Sequence, residues 1–446
     1  MSQTSVDLRP TIEIKERLVA SLSTESDNVV CLLGFATKAG INPLYNINEP
    51  ISLGVIVDIP TLVTKLNDLG IVYKLISDTV IDKSQSDELA CMLFNAVVSY
   101  RDWIENREAN TLNPPSFVIG ILTVEDNDKD GAGGLTPFGD FFNIVLEDKM
   151  QIDSICPSYV FVTGDNTVAG GFMGDLVSYT NAIIAEKNPM LGFNYILFHD
   201  SLPRETDFAS REFPEIVRSS LVNAWQLQVT PTLYQVTSPM VGAMVAMLVA
   251  SLNDSCEGLY QQPIFSMPAP EGKEGWFKDS QVTEMLQNGI SPINYNPQSR
   301  RNEFVRIVTS NLTDVATGLP RTNMLDMQSW KAAYGVERAL YIKLASDKNI
   351  LNAKTKVLKD GSFSTVEAVR NVVQGVCITA ASNDLIMEPS NWNDVVNIYL
   401  DPTDDSKVIF DLNISPLPIN TGVKGTVNLI GSNVYYSKFI VNTNGV

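Results

Sequence analysis

Cysteine and histidine, the residues that most often carry metal sites and redox chemistry, are scarce in this 446-residue sequence. There are five cysteines, an odd number, and no two of them stand in a CxxC spacing. There is one histidine. A structural zinc site needs clustered ligands, and a disulfide framework needs paired cysteines. The sequence therefore predicts neither, and it is typical of a protein made in a reducing compartment.

Net positive charge, an N-terminal apolar segment and long hydrophobic runs are also lacking. The formal net charge is −19, so the surface as a whole repels nucleic acid and anionic membranes. The first residues, MSQTSVDLRP, contain no apolar core of a signal peptide. The longest apolar run, residues 240–252, is interrupted by Gly242 and is too short to span a bilayer. We expect no nucleic-acid partner and no direct insertion into a membrane.

The motifs of common enzyme classes are missing. His199 is followed by Asp200 and Ser201, but neighbours on a strand point to opposite faces, so these three cannot form a triad among themselves. No G-x-x-x-x-G-K-[ST] phosphate loop occurs. Residues 164–174 (GDNTVAGGFMG) form a glycine-rich turn that lacks both the lysine and the GxGxxG spacing. We expect no catalytic residue, no cofactor and no enzymatic activity.

One segment resembles the start of a calcium-binding loop. Asp126, Asp128 and Asp130 occupy positions 1, 3 and 5, and Gly131 follows at position 6. Position 12 is Pro137 instead of the bidentate glutamate that such a loop needs. The sequence favours a solvated hairpin tip over a metal site, and calcium binding is left as an open question.

The apolar pattern predicts a mixed chain of two to four domains, because its length exceeds the size at which a single core stops growing. The run 29–36 (VVCLLGFA) predicts a buried strand, and residues 61–69 and 87–104 predict helices. From 116 to 230 strands and helices alternate, which is typical of an α/β domain with partly parallel strands. The elements predicted there are strands at 117–124, 159–163 and 193–198 and helices at 141–149 and 174–187.

The second half of the chain predicts helices and then strands. Helices are expected at 239–252, 279–288 and 329–345, and from Ser364, which forms a capping-box pattern with Glu367. The apolar stripe of that last helix is Val366, Val369, Val373, Val376 and Ala380. Residues 262–275 are rich in proline and glycine and predict a loop. Strands are predicted for the alternating residues Val408, Phe410, Leu412 and Ile414, and for 423–430 and 434–441, which a turn at 431–433 joins.

Residues 286–327 combine a helix end, a turn, a strand, a polar loop and the start of another helix. Gly289 is expected to end the helix as its C′ residue. Residues 304–309 alternate as a strand, which places Arg306 inside a packed sheet as an ion-pair partner. Residues 311–320 are rich in Asn, Asp, Thr and Gly and predict a loop.

The charge is unevenly distributed along the chain. Residues 298–359 contain eleven basic and five acidic residues, a net +6, so the remainder carries −25. Two interpretations stand side by side: a solvated surface of mixed charge, and a basic face that meets an acidic partner and sets its orientation.

The pattern L-x-x-G-I-S at 286–291, followed by F-V-R-I-V-T-S at 304–310, resembles the conserved core of contractile phage tail sheath proteins (the Mu-like sheath family). Arg306 and Thr309 match the arginine and threonine of that family's strand. Residues 239–252 are similar to the family's helix rich in small residues, and residues 29–69 to its early strand, turn and short helix.

The resemblance implies a multidomain fold of α/β and α+β type. It has an inner sheath-core domain with N- and C-terminal strand arms, plus an outer α/β domain. The division that follows is 1–25 (N-terminal arm), 26–115 (first part of the sheath domains), 116–235 (outer α/β domain), 236–420 (inner sheath-core domain) and 421–446 (C-terminal strand arm).

The resemblance also implies a structural function. Subunits of the family form stacked hexameric rings around an inner tube and contract to drive it through the host envelope. The implied partners are further copies of the chain, the tail tube protein, and baseplate and tail terminator proteins, in a virion tail assembled in the host cytoplasm. The arms would add strands to neighbouring subunits through Thr11, Ile12, Glu13, Ile14, Val423, Val427, Leu429, Val434 and Tyr436. The candidate tube contacts are Lys331, Arg338, Lys343 and Lys348.

Other interpretations are kept open. The chain could be the sheath of a pyocin-like or extracellular injection particle. It could be an α/β ligand-binding protein or enzyme of residues 116–230 fused to an assembly module, with a pocket near 164–174 or a metal at 126–130. A third alternative is a major tube or capsid component.

Overall fold

The computed structural model describes residues 28–106, 114–123, 154–157, 196–202, 227–233, 239–251, 263–264, 277–308 and 363–413, single residues aside, with short pieces at 141–145, 152, 335–344, 350, 357–358, 426–428 and 438–440. The strands are β1 (Val29–Ala36), β2 (Ile51–Val55), β3 (Leu75–Ser77), β4 (Val80–Ile81), β5 (Ser116–Thr123), β6 (Ser154–Pro157), β7 (Ile196–Leu202), β8 (Leu227–Leu233), β9 (Pro263–Ile264), β10 (Ser291–Asn296), β11 (Arg301–Phe304), β12 (Val396–Asp401), β13 (Asp404–Leu412), β14 (Thr426–Asn428) and β15 (Lys438–Ile440). The helices are α1 (Ile59–Leu69), α2 (Glu88–Asn106), α3 (Pro239–Ser251), α4 (Asp279–Gln287) and α5 (Ser364–Ser382).

Nine of these strands join into one sheet in the order β2-β5-β1-β6-β7-β8-β10-β11-β9. The six strands from β5 to β10 in that order run parallel, and antiparallel strands occupy both edges. β1 reads as an unbroken apolar run because it lies inside the parallel part, where both faces of a strand are buried. The predicted α/β layering with partly parallel strands is confirmed.

Helices α2 and α3 pack against each other and against β1. The residues of α3 from Val241 to Ser251 are buried around the whole helix. Its C-terminal end is tied to the start of β1, where the buried Asn28 Nδ2 donates a hydrogen bond of 2.6 Å to the Ala250 carbonyl. The apolar run at 240–252 is therefore the helix at the centre of this layer.

A close approach of two backbone segments fixes the end of α1. Gly70 follows the helix with φ at +75°, the left-handed conformation that favours glycine. A Cβ atom at Gly70 would lie 2.0 Å from the Gly40 carbonyl oxygen. The Asn42 amide donates to the Leu69 carbonyl at 2.8 Å in the same place. No residue other than glycine fits at position 70 without moving this loop.

A second body consists of α5 packed on a two-stranded sheet of β12 and β13. Its core contains the predicted apolar stripe of α5, from Val366 to Ala380, and all five of those residues are buried. From the strands it contains Val396, Ile398 and Leu412. The mixed α/β and α+β fold class is confirmed by these two bodies.

The strand predicted at 304–309 is wrong in position. The structure has two strands in this region, β10 and β11, joined by a hairpin, and the second ends at Phe304. The next residue, Val305, still donates to the Pro292 carbonyl at 3.1 Å, but Pro292 has no N–H to return the bond. The ladder stops there, and Arg306 consequently lies beyond the strand, half-buried.

Two smaller predictions also need correction. The helix beginning near Ser364 has Phe363 as its N-cap, so Ser364 is already helical and forms no capping box with Glu367. Phe363 is held extended by its bridge to Val357. The predicted loop 262–275 contains a two-residue strand, β9, which pairs with β11. The predicted strand 159–163 and helix 174–187 lie outside the described residues.

The central sheet draws strands from residues 26–115, 116–235 and 236–420. These three segments therefore share one sheet instead of each having its own. The division of the chain into five segments stays a prediction.

Candidate assembly surfaces

The sheet of β12 and β13 has one covered face and one exposed face. Val396 and Ile398 point towards α5 and are buried, whereas Asn397 and Tyr399 alternate with them and are exposed. On β13, Leu412 is buried opposite Val396, and Asp411 is exposed. A strand added to this sheet would need apolar residues on one side and polar residues on the other.

The hydrogen bonds of this sheet show which backbone groups point outward. The Asn413 N–H donates to the Val395 carbonyl at 2.8 Å, so 395/413 is a bonded pair. Bonded and non-bonded pairs alternate in an antiparallel ladder, so 397/411 and 399/409 are also bonded pairs. The backbone groups that point away from the partner strand are then those of Val396, Ile398 and Leu400 on β12 and of Val408, Phe410 and Leu412 on β13. Among the residues that the structure describes, no further strand pairs with either edge of this sheet.

Tyr399, on the exposed face of the sheet, lies close to two acidic side chains. The Tyr399 hydroxyl donates to Asp411 Oδ2 at 3.3 Å. Desolvation, followed by the negative charges of Asp411 and Asp401, raises the pKa of the Tyr399 phenol. A strand added beside Tyr399 is therefore favoured if it carries a basic residue close to Asp411.

The C-terminal residues form a hairpin within the described part of the chain. β14 and β15 pair antiparallel, with Val427 opposite Phe439. The two predicted strands of this region are therefore present and paired. Val427 lies in β14, whereas Val423, Leu429, Val434 and Tyr436 lie outside the described residues, as do Thr11, Ile12, Glu13 and Ile14. The role of these residues as intersubunit arms stays a prediction.

The basic helix proposed to contact the tube is described in part. Its residues 335–336, 339–340 and 342–344 are helical. Val336, Leu340 and Leu344 are buried, as the predicted apolar face requires. Lys343 is exposed, and Lys331, Arg338 and Lys348 lie outside the described residues.

The L-x-x-G-I-S pattern has a physical explanation in the structure. Gly289 has φ at +70° after α4, as predicted for a C′ residue. The next residue, Ile290, is buried. The hydroxyl of Ser291 accepts from the Val308 N–H at 2.9 Å and donates to the Val308 carbonyl at 3.0 Å. Ser291 thus replaces one pair of ladder bonds after β11 has ended.

Asn294 makes an equivalent connection on the other side of β10. Its Oδ1 accepts from the Phe277 N–H at 3.0 Å, and its Nδ2 donates to the Phe277 carbonyl at 3.0 Å. The side chains of Ser291 and Asn294 therefore fasten two segments of backbone to one strand. Neither role was visible in the sequence, because both depend on partners far along the chain.

The residues considered for chemistry are placed as follows. Cys31, Cys91, Cys156 and Cys377 are buried. Burial raises the pKa of the Cys91 thiol to about 11 and that of Cys377 to about 12, so both stay protonated at neutral pH. Within the described residues, no three acidic, cysteine or histidine side chains form a cluster that could hold a metal ion. His199, Asp200 and Ser201 lie on β7 as predicted, and residues 126–131 and 164–174 lie outside the described residues.

In the part of the chain that the structure describes, no helix has the length and apolarity needed to cross a membrane.

The sequence reasoning missed β12, although its signal was present. Val396, Ile398 and Leu400 alternate with polar residues in the same way as the residues of β13. It also missed Arg370, which contacts the edge of β12. No sequence pattern could have indicated that contact, because it depends on how α5 crosses the sheet.

Solved structures with the same fold are components of contractile particles. The chain aligns with a chain of the anti-feeding prophage (AFP) baseplate at a TM-score of 0.54 and 11% identity, covering 96% of this chain and 100% of that one. It aligns with the AFP helical sheath in its contracted state at a TM-score of 0.53 and 12% identity, with the same coverage. A sheath tail protein from Listeria innocua aligns at a TM-score of 0.48 and 10% identity, over 95% of this chain and 97% of that one. No protein-family model and no curated protein matches the sequence.

The chain has the fold of contractile tail sheath proteins over almost its whole length. The fold that the resemblance at 286–310, 239–252 and 29–69 implied is therefore confirmed. At 11–12% identity the likeness concerns the fold.

Proposed function

We propose that this chain is the structural subunit of a contractile sheath and not an enzyme. The observation that carries the proposal is the two-stranded sheet of β12 and β13, whose two edges are open among the described residues, in a chain with a tail sheath fold. Two such edges on each copy, together with the N- and C-terminal arms that the sequence resemblance implies, would provide a means of linking copies without limit. Subunits would assemble in this way as stacked hexameric rings around an inner tube.

In this proposal the links between subunits are main-chain hydrogen bonds. An arm of one copy adds a strand to the β12–β13 sheet of the next, with alternate side chains setting the register. Residues 11–15 (TIEIK) fit such a sheet, because Ile12 and Ile14 share one face and Thr11, Glu13 and Lys15 share the other. The strands would remain paired while rings slide and tilt.

The energy for contraction would come from subunit surfaces that bury more area in the contracted state. A gain of about 1–3 kcal/mol per subunit, the usual scale of a coupling free energy, becomes large over many copies. Such a mechanism requires no nucleotide. The sheath would act in the tail of a virion assembled in the host cytoplasm, closed by baseplate and terminator proteins and moving the tube through the host envelope.

The purified chain is expected to form wide tubes in the absence of any other protein. Electron microscopy of negatively stained samples, over a range of concentrations, measures this directly. Chains linked by strand addition grow without limit once the first links form, so the tubes should appear above a threshold concentration. A monodisperse monomer at the highest attainable concentration would contradict the proposal.

The basic helix of residues 329–345, with Lys348 just beyond it, is proposed as the contact with the inner tube. Reversing the charge of Lys331, Arg338 and Lys343 is expected to abolish assembly of the extended sheath on an acidic tube, because three attractive contacts per subunit become repulsive. The tubes that the variant forms alone should be unaffected. Co-assembly with the tube protein, followed by sedimentation, measures both. Unchanged co-assembly would exclude this helix as the contact.

A further inference from the structure

Arg370 lies on α5 beside the outer edge of β12. Its Nη1 donates to Glu367 Oε1 at 2.9 Å, one turn earlier on the helix. Its Nη2 donates to the Ile398 carbonyl at 3.5 Å. The Ile398 carbonyl is one of the groups that point away from β13. The guanidinium therefore occupies the position in which an added strand would place an N–H donor.

The outer edge of β13 differs from that of β12 in this respect. Among the residues that the structure describes, no side chain bonds to the outward-pointing backbone groups of Val408, Phe410 and Leu412. A strand that adds beside β13 consequently displaces no described contact. A strand that adds beside β12 has to displace Arg370 first.

An added strand can displace the contact of Arg370 with the Ile398 carbonyl. At 3.5 Å the bond to Ile398 is at the long limit for a hydrogen bond, so it is weak. The side chain is 31% exposed, and a salt bridge of 2.9 Å joins its Nη1 to Glu367 Oε1. Proteins commonly place charged side chains at the edges of sheets to prevent unwanted pairing. Among the described residues, Arg370 does this at the edge of β12, and no side chain does so at the edge of β13.

We propose that Arg370 determines the order in which the two edges of the β12–β13 sheet accept strands from other copies of the chain. The edge of β13 accepts the first strand, and the edge of β12 accepts one after Arg370 has left the Ile398 carbonyl. The inference rests on the proposed function, because it presupposes that strands add to this sheet. As a consequence, assembly begins with strands added beside β13, and the two edges do not accept strands in random order.

Hydrogen exchange measured by mass spectrometry can separate the two edges, because they fall in different fragments, 395–401 and 407–413. The probe is a synthetic peptide of residues 8–18 (LRPTIEIKERL), added to the full chain at a dilution at which light scattering shows monomers. Three variants are compared with the unaltered chain: Arg370→Met, which keeps length and loses the donor; Glu367→Gln, which loosens the anchor; and Arg101→Met, the control. Arg101 pairs with Glu105 on α2 and lies outside this sheet.

In the unaltered chain, fragment 407–413 is expected to be protected at lower peptide concentration than 395–401. Arg370→Met is expected to protect 395–401 at about twofold lower peptide concentration, the factor for a hydrogen bond at the weak end of the usual range. Fragment 407–413 should not shift, Glu367→Gln should give a smaller change, and Arg101→Met should give none.

Protection of 395–401 first in the unaltered chain, or no shift in Arg370→Met, would overturn the inference while leaving strand addition intact. Protection of neither fragment in any variant would instead overturn strand addition and, with it, the proposed function. The two failures are therefore distinguishable.

Discussion

Replacing Ile12 and Ile14 together with aspartate is expected to leave the chain monomeric at concentrations at which the unaltered chain forms tubes. If residues 11–15 pair with the β12–β13 sheet of another copy, these two side chains enter the apolar layer between that sheet and α5. The layer already contains Val396, Ile398 and Leu412. Burying an isoleucine contributes about 1.5–3 kcal/mol. Losing two, before the cost of placing carboxylates there, raises the threshold concentration by about 100-fold or more.

The matched control places the same change of charge on the other face of the segment. Thr11→Asp with Lys15→Gln changes the net charge by −2, as the double isoleucine variant does, but alters the residues that would face solvent. It should raise the threshold far less than the double isoleucine variant does, because it alters solvent-exposed charges and buries none. Sedimentation velocity gives the fraction of monomer, and electron microscopy identifies the polymer. Tubes of normal width from the double aspartate variant would show that residues 11–15 do not link subunits.

The elements that could be read from the sequence are those whose surroundings are uniform. β1 and α3 are buried on all sides, so their apolar runs mark them without knowledge of their neighbours. α5 was found with its complete stripe because one face meets one core. In each of these elements the apolar pattern of the sequence indicates which residues are buried, so the prediction needs no knowledge of a distant partner.

The elements that could not be read depend on a specific partner elsewhere in the chain. β11 ends at Phe304 because Pro292 lies opposite the next residue, and a pairing register is not visible in the sequence. Phe363 is the N-cap of α5 because a bridge to Val357 holds it extended, although Ser364 is the better capping residue. β9 consists of two residues and exists only as a partner of β11. The strand order of the sheet, with β5 beside β1 and β10 beside β8, could not be predicted for the same reason.

The same distinction applies to the assembly surfaces. The sequence resemblance pointed to the correct fold, and it explained why arms and open edges should be expected. The strand predicted at 304–309 is instead a strand of the central sheet that ends at Phe304, and β12, which forms a separate sheet with β13, was not predicted. The strand pattern of Val396–Asp401 was present in the sequence. Whether another strand covers the edge of a sheet depends on the tertiary structure, and no sequence pattern indicates it.

Replacing Ser291 with alanine is expected to lower the free energy of unfolding by about 2–4 kcal/mol, because two buried backbone groups of Val308 lose their partner and each costs about 1–3 kcal/mol. Ser291 is fully buried, so water cannot readily replace its hydroxyl. Urea unfolding measures the loss. Ser280→Ala, on the exposed side of α4, is the control and should change the free energy by less than about 0.5 kcal/mol.

Amide hydrogen exchange can show whether the lower stability of Ser291→Ala comes from the connection to Val308 or from a general weakening of the core. Val308 lies before the basic helix of residues 329–345 that is proposed to contact the tube, and Ser291 fastens it to the central sheet. In Ser291→Ala the amide of Val308 should exchange with solvent well before those of α2, whereas a general weakening would shift both together. Equal protection of Val308 in the variant and the unaltered chain would show that the serine is not what holds this connection.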